Sequence, residues 1–430
     1  MTRIAVVYDY GAVNAAEIML GLGPVGDPVF VGSASEHTGP LLPLLAELGD
    51  VVRLEQGFEA VVGQLAELGV DAIVTYSDEM LELTARLAER LGLAFHSMDT
   101  VQLLRDKSRQ RQRLREAGVE QLRTGVIHDP ADWPAVVAAV GLPAVLKPAR
   151  GRGSRDTHLI TDPEQGRQLV TRFLGTAEGA DRPVFVLEEY LVGRPCGPFG
   201  DYVAVETVCT ADGYRHLPIT GKFPLLPPFR ETGGILPAVL NGIEADAVTD
   251  LVSRALGALG VVIGITHTEV KLTADGPRLI EVNGRMGGYV NDTCRAVFGF
   301  DFVELSAELA LGRTRWTPPP EPDRVHFQWR PSGPVQAFTL KDVLGIEAVR
   351  ELPGVTSYRP MVEAGESRGP SVATRHLDTV SGVVDSYEEM FETVRQVGKL
   401  LAYEFTFADG RTTRLTSGDL LTHPITPLTD

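Results

Sequence analysis

Over the first hundred residues, short apolar runs alternate with stretches whose apolar positions recur every three or four residues. Arg3–Tyr8 and Asp71–Tyr76 read as buried strands, with Val29–Gly32 and Val51–Leu54 as weaker ones. Between them the spacing predicts helices, most clearly over Glu79–Leu91. This alternation predicts a small parallel sheet with helices on its faces, in which ligands sit at the carboxyl ends of the strands. Ser77-Asp78-Glu79 follows such a strand. It is either a rim position or a plain helix N-cap, and the cap is favoured. Gly21–Gly26 satisfies GxGxxG but precedes the strand at Pro28–Val31. That order suits a helix-to-strand loop and disfavours a dinucleotide-binding dehydrogenase.

Farther along, Asp106–Gly118 is a basic amphipathic helix with a glycine stop. A strand at Ala144–Leu146 presents Lys147, followed by a loop carrying Gly151, Gly153 and Ser154. The loop's N–H groups can cradle phosphate. The lysine precedes the glycines, whereas a Walker A loop has it after them. Val184–Gly193 is an apolar strand ending in Glu188-Glu189-Tyr190-Leu191, and Val203–Val208 is another strand. Leu217–Phe229 is proline-rich and carries Lys222. With Arg230–Gly234 it is either the wall of a pocket or an irregular crossover. Asp246–Leu259 reads as a helix, and Asn291–Gly312 as a helical region turning near Gly299. Thr317–Pro322 is a stiff linker. The rest suggests a small α/β unit with strands at Val335–Phe338 and Val355–Arg359 and a helix at Tyr387–Leu401.

The densest chemistry lies in Ile265–Gly288. Thr268–Leu272 and Arg278–Val282 alternate as strands around the turn residues Ala274-Asp275-Gly276. On such a hairpin Glu269 and Glu281 face each other, and Asn283 shares the face of Glu281. Two carboxylates and an amide make a poor core and a good site for magnesium, which takes hard oxygen ligands and shares its shell with phosphates. Arg285 follows on that face with a fork suited to phosphate or carboxylate. Gly287-Gly288 lets the backbone approach a ligand. His267 sits on the face of Glu269. Magnesium disfavours imidazole, so His267 reads as a pocket-lining hydrogen bonder.

In order and spacing these motifs resemble the ATP-grasp superfamily, in particular the carboxylate–amine ligases that include the L-amino acid ligases. The resemblance covers about Asp106 to Gly312. It implies that Glu269, Glu281 and Asn283 hold Mg²⁺ or Mn²⁺ on ATP, and that Arg285 meets the acyl phosphate or substrate carboxylate. Lys107 and Lys147 would add charge at the phosphates, with Gly151, Gly153 and Ser154 closing as a lid. The backbone of Glu188, Glu189, Tyr190 and Leu191 would read the adenine edge. The family's ribose-binding acid is displaced by what looks like an insertion at Arg194–Gly200, and Asp201 is the candidate for it. His267, Lys222, Gly287, Gly288 and Tyr289 would line the substrate pocket, with Tyr289 limiting the first side chain.

The implied fold is α/β, with α+β character in the ATP-grasp part. It divides into an N-terminal parallel-sheet domain (1–105), a small lid subdomain (106–187), a large subdomain with the metal hairpin (188–320) and a C-terminal α/β cap (321–430). The implied activity is ATP-dependent joining of an amino acid carboxylate to an amino acid or amine. A bicarbonate-using carboxylase and a non-catalytic nucleotide-binding protein are the rivals. Homodimers are common in such folds.

Composition narrows this only a little. With 430 residues, several domains or subdomains are expected. A net charge of -17 argues against a nucleic-acid partner. Three unpaired-looking cysteines point to a reducing, cytoplasmic setting. No apolar run is long enough to span a membrane.

Overall fold

The computed structural model describes residues 2–175, 182–313 and 316–422. Its first sheet is the expected parallel one, with strands in the order 50–53, 27–32, 3–7, 72–74. Ile4, Val6 and Val74 bury one face, and Ala5, Val7 and Ile73 the other. The 21–26 glycines lie where a helix (Ala15–Leu22) hands over to a strand (Asp27–Gly32). Gly21 is there for packing: a Cβ on it would fall 2.5 Å from Cβ of Val303 on the Phe302–Ala310 helix. Through that contact the parallel sheet is bound to the segment that follows the hairpin.

A second sheet is antiparallel, in the order 124–127, 185–189, 144–148, 158–160. The largest has nine strands, running 276–283, 264–273, 202–210, 220–222, 233–236, 325–329, 378–384, 355–360, with 213–216 added beside 202–210. The hairpin thus forms one end of a sheet whose other end is built from residues beyond 322. A last antiparallel sheet (367–368, 338–344, 402–407, 412–416) covers a separate apolar core. Among the described residues no helix is long and apolar enough to cross a membrane.

Two expectations for this region change. The strand expected at Val335–Phe338 starts only at Phe338, just after Gly333 and Pro334, which cannot extend a ladder easily. Val325–Trp329, Asp378–Val384 and Ala402–Phe407 are additional strands.

The C-terminal core contains one ionisable group whose titration can be measured. Asp378 is fully buried. Its Oδ2 accepts from the hydroxyls of Tyr403 (2.7 Å) and Tyr358 (3.2 Å), and Oδ1 has no partner among the described residues. Burial pushes its carboxyl up to about 7, although both tyrosines act to lower it. The folded chain therefore holds this proton where the unfolded chain, near 3.8, has lost it. Stability from the protonated acid is complete below about pH 4 and is lost as pH rises towards 7, by on the order of 4 kcal/mol. Asp378→Asn should accordingly gain stability relative to the parent as pH rises through that window, read as a difference in denaturant midpoints. A pH-independent difference would contradict a buried neutral acid.

Candidate active site

The hairpin strands, Gly264–Thr273 and Gly276–Asn283, pair in the expected register: Glu269 opposite Glu281, and His267 opposite Asn283. A bulge beside Glu269 shifts the ladder at Val270 and sets the angle at which the two acids meet. Thr268, Val270 and Val282 are buried on the opposite face, where Val270 and Val282 join the core of the Gly242–Ala258 helix. Alternation leaves His267, Glu269 and Lys271 on the site face.

Strand Gly276–Asn283 is an edge, and side chains take up its outer groups. Gln110 bonds the N–H and the C=O of Val282 at 3.0 and 2.9 Å. Arg111 donates to the carbonyls of Leu279 and Ile280. Glu120 accepts from the Leu279 N–H at 3.0 Å and from Arg278 at 2.7 Å. The Lys107–Glu116 helix, capped by Asp106, is thus bolted to the acid-bearing strand. That leaves Lys107 with its ammonium 3.3 Å from Glu281 and 2.9 Å from the Gly151 carbonyl.

Arg111 also pairs with buried Glu188 at 2.9 Å, and Glu188 meets Lys147 at 2.8 Å. Burial alone would raise the Glu188 carboxyl, but Arg111 and Lys147 hold it down at about 2. Burial lowers Lys147, with Glu188 opposing. The adenine assignment needs correction at Glu188. Its backbone lies inside the sheet, paired with Thr124 on one side and Val145 on the other, and its side chain is the counter-ion of Lys147. Glu189 also spends its N–H, on Arg123, and Tyr190 its N–H on Pro143. Leu191 lies beyond the strand's end. Asp201 packs against Gly193 and binds Lys271 at 2.7 Å, with the Lys271 ammonium 5.9 Å from the Tyr190 ring centre. The 190–193 segment, Asp201 and Lys271 therefore form one rim. Lys271 escaped the sequence reading, although the alternation already placed it on the site face.

His267 lies between two acids, with Nδ1 on Glu206 and Nε2 3.4 Å from Glu269. Burial lowers its pKa, but the two carboxylates outweigh burial and lift it to about 9. For Glu269, burial acts upward, but His267, Lys222 and Arg285 keep it ionised. Lys222 is buried and 3.4 Å from Glu231. Gly287 donates its N–H to Glu206 at 3.2 Å. A Cβ on Gly287 would sit 2.6 Å from His267 Nδ1. Its close approach in this structure is to that ion pair. Gly288 faces open space. Tyr289 stands in the left-handed region (φ 66°) with its hydroxyl 3.3 Å from His376. A cavity of about 410 Å³ adjoins these groups, walled by Glu206, Lys222, His267, Gly288, Tyr289 and Arg330.

Arg285 is clamped by Asp78, at 2.9 Å through Nε and 2.5 Å through Nη2. Asp78 belongs to the 77–79 stretch for which the helix N-cap is favoured over a rim position, and that side-chain cap does not form. Ser77 makes no side-chain cap and donates instead to the Tyr10 carbonyl at 2.8 Å. Glu79 holds Arg152 of the glycine-rich loop at 3.1 Å, and Arg152 lies 4.2 Å over the Tyr10 ring. The loop has Gly153 and Ser154 at positive φ and is held on its other side by Thr374, which donates to the Gly153 carbonyl at 3.1 Å.

The donor set fits a magnesium ion. Glu269 and Glu281 supply carboxylate oxygens and Asn283 an amide oxygen, all hard ligands, with cations beside them for phosphate. Among the described residues no three His, Cys, Asp or Glu side chains close a cage alone. Two carboxylates and an amide leave positions for phosphate oxygens and water.

Comparison with known proteins agrees with this geometry. Residues 140–293 match the ATP-grasp domain model. Alanine--anticapsin ligase of Bacillus subtilis (strain 168) is 28% identical over 269 residues, covering 59% of the chain and 57% of the ligase. Carnosine synthase 1 of Gallus gallus is 31% identical over 295 residues, covering 63% of the chain and 30% of the synthase. The chain therefore spans little more than half the length of the first of these relatives, and less of the second. The fold is like that of an L-amino acid ligase from Bacillus licheniformis, with a TM-score of 0.78 at 23% identity, over 94% of this chain and 98% of that one.

Proposed function

With residues 140–293 an ATP-grasp domain, we propose that the protein is an ATP-dependent carboxylate–amine ligase that joins an amino acid carboxylate to an amino acid or amine. The observation that carries this reading is the opposition of Glu269 and Glu281 on one hairpin, with Arg285 beyond them and Lys107 bridging to the glycine-rich loop. Names of relatives that act on amino acids support the same class of substrate.

In the proposed reaction a substrate carboxylate oxygen attacks the γ-phosphorus of ATP, and ADP leaves. The amine nitrogen then attacks the acyl carbon, loses a proton, and inorganic phosphate departs. Magnesium held by Glu269, Glu281 and Asn283 would neutralise phosphate charge. Lys147 and Lys107 add fixed positive charge along the phosphates. Arg285, oriented by Asp78, faces the developing oxyanion. The glycine-rich loop excludes water, which would otherwise hydrolyse the acyl phosphate. Asp201 and the 190–193 segment are proposed to hold the nucleoside.

The test is phosphate release from MgATP with amino acids singly and in pairs, and mass spectrometry of the products. Release that needs a pair, with ADP and a condensed product, is expected. Bicarbonate-dependent release without amino acids would point to a carboxylase, and nucleotide binding without turnover in any mixture would overturn the enzyme reading. Tyr289, beside Gly288 at the cavity wall, is proposed to limit the first side chain. Tyr289→Ala should admit larger donors, and an unchanged substrate profile would sink that role.

A further inference from the structure

Among the described residues, charge pairing around the 410 Å³ cavity leaves one cation over. Lys222 answers Glu231 at 3.4 Å, Arg359 answers Asp292 at 2.9 Å, and His267 answers Glu206. Arg330 lines the same cavity, is 4% exposed, and has no carboxylate within ion-pair distance among the described residues. Its guanidinium lies 4.3 Å over the Tyr289 ring, Nη1 donates to Gln328 at 2.9 Å, and Nε has no partner among the described residues. Thr379, on the cavity wall, likewise has an unpartnered buried hydroxyl there. A buried cation with no carboxylate in ion-pair contact is costly; the Glu231 charge nearby, already paired with Lys222, and stacking on one phenol offset only part of that. Two other basic groups lie near Tyr289: Arg359, 5.8 Å over its ring and paired with Asp292, and His376, held neutral by burial and then by the Arg330 charge itself.

We propose that Arg330 receives a carboxylate of the substrate, one other than the carboxylate that is activated at the Glu269–Glu281 hairpin. This rests on the ligase reading, because it assigns the activated end to Arg285 and the metal acids and a second anionic end to Arg330. The planar fork of an arginine stacked on Tyr289 suits bidentate capture of a carboxylate. Its source is either the α-carboxylate of the amine-side amino acid or a side-chain carboxylate. Both place an anionic group against the guanidinium that lies over Tyr289. With the α-carboxylate as the source, the ligase discriminates against plain amines.

The experiment measures binding by calorimetry, in MgADP, for the amino acids, their α-carboxamides and succinate, alongside the product assay. The parent should bind an acid about 10- to 100-fold more tightly than its carboxamide, the range expected when a charged hydrogen bond is lost. Loss on α-amidation assigns the α-carboxylate; glutamate or aspartate favoured over glutamine or asparagine assigns a side chain. Arg330→Gln should abolish the discrimination, raising KM for the acid while leaving that for its amide unchanged, and Arg330→Lys should restore part of it. A purely structural arginine would move acid and amide together. Equal affinity for acid and amide in the parent overturns the proposal even if condensed products form, and so does failure of every acid, succinate included, to bind. Succinate bound through Arg330 with no condensed product from any mixture would instead overturn the ligase reading and keep the anion site. If Arg330→Gln does not fold, the acid–amide comparison in Arg330→Lys against the parent decides.

Discussion

Glu281→Gln should reduce amide formation by about 10³-fold or more, a loss of the size seen when a charge-stabilising group is taken from phosphoryl transfer. The substitution keeps the shape of the side chain and removes its charge. Glu281 stands opposite Glu269 at the bulge, and among the described residues its only ion pair is with Lys107 at 3.3 Å. Its backbone pairing with the neighbouring strand does not depend on the carboxylate, so folding should survive and the whole effect should fall on the site. With one hard anionic ligand gone, magnesium and its nucleotide should bind more weakly too. Lys107, freed from Glu281, would turn wholly to the Gly151 carbonyl and tie the loop more firmly. The measurements are equilibrium binding of MgATP and single-turnover phosphate release. Near-parental release would remove Glu281 from the proposed metal site.

The second large effect is expected at Arg285. Arg285→Ala should lower ligation by about 10² to 10³, the range for loss of one oxyanion donor, while MgATP affinity changes far less than in Glu281→Gln. The separation follows from position: Arg285 is held by Asp78 from the N-terminal sheet, away from Lys147 and the 190–193 segment. The substitution also strands Asp78 in a partly buried place, so a loss of about 1–3 kcal/mol of stability is expected with it. Pairing Arg285→Ala with Asp78→Ala would relieve that loss without restoring ligation. Equal loss of nucleotide affinity in Arg285→Ala and Glu281→Gln would contradict the separate roles.

What could be read from the chain alone was what local period encodes. Alternation over 264–273 and 276–283 fixes which residues share a face, so the opposition of Glu269 and Glu281 followed from counting by two. The helix after Asp106 was legible for the same reason, through its cap and its glycine stop. Contacts made across the fold left no such trace. Asp78 meets Arg285 across 207 positions and Gln110 meets Val282 across 172, and nothing local marks either pair. Asp378–Val384 has no place in the sequence reading, and the reason for its Gly382 is tertiary: a Cβ there would fall 2.2 Å from the Phe327 ring. There the glycine exists to make room for a neighbour over fifty positions earlier in the chain. Glu188 went wrong in the opposite way: the motif located it correctly, but only its partners Arg111 and Lys147 reveal that it serves the lysine and not the nucleotide base.

The nine-stranded sheet also governs how the gene can be cut. Gly233–Leu236 bonds along its full length to Val325–Trp329, which bonds in turn to Asp378–Val384. A chain stopped at residue 322 would keep the Glu269–Glu281 hairpin and the ATP-grasp match yet lose the strand that covers 233–236. The result would be an open, largely apolar ladder of the kind that recruits a second molecule and precipitates. Shortened versions made for expression should therefore come out insoluble unless the sequence through residue 384 is retained.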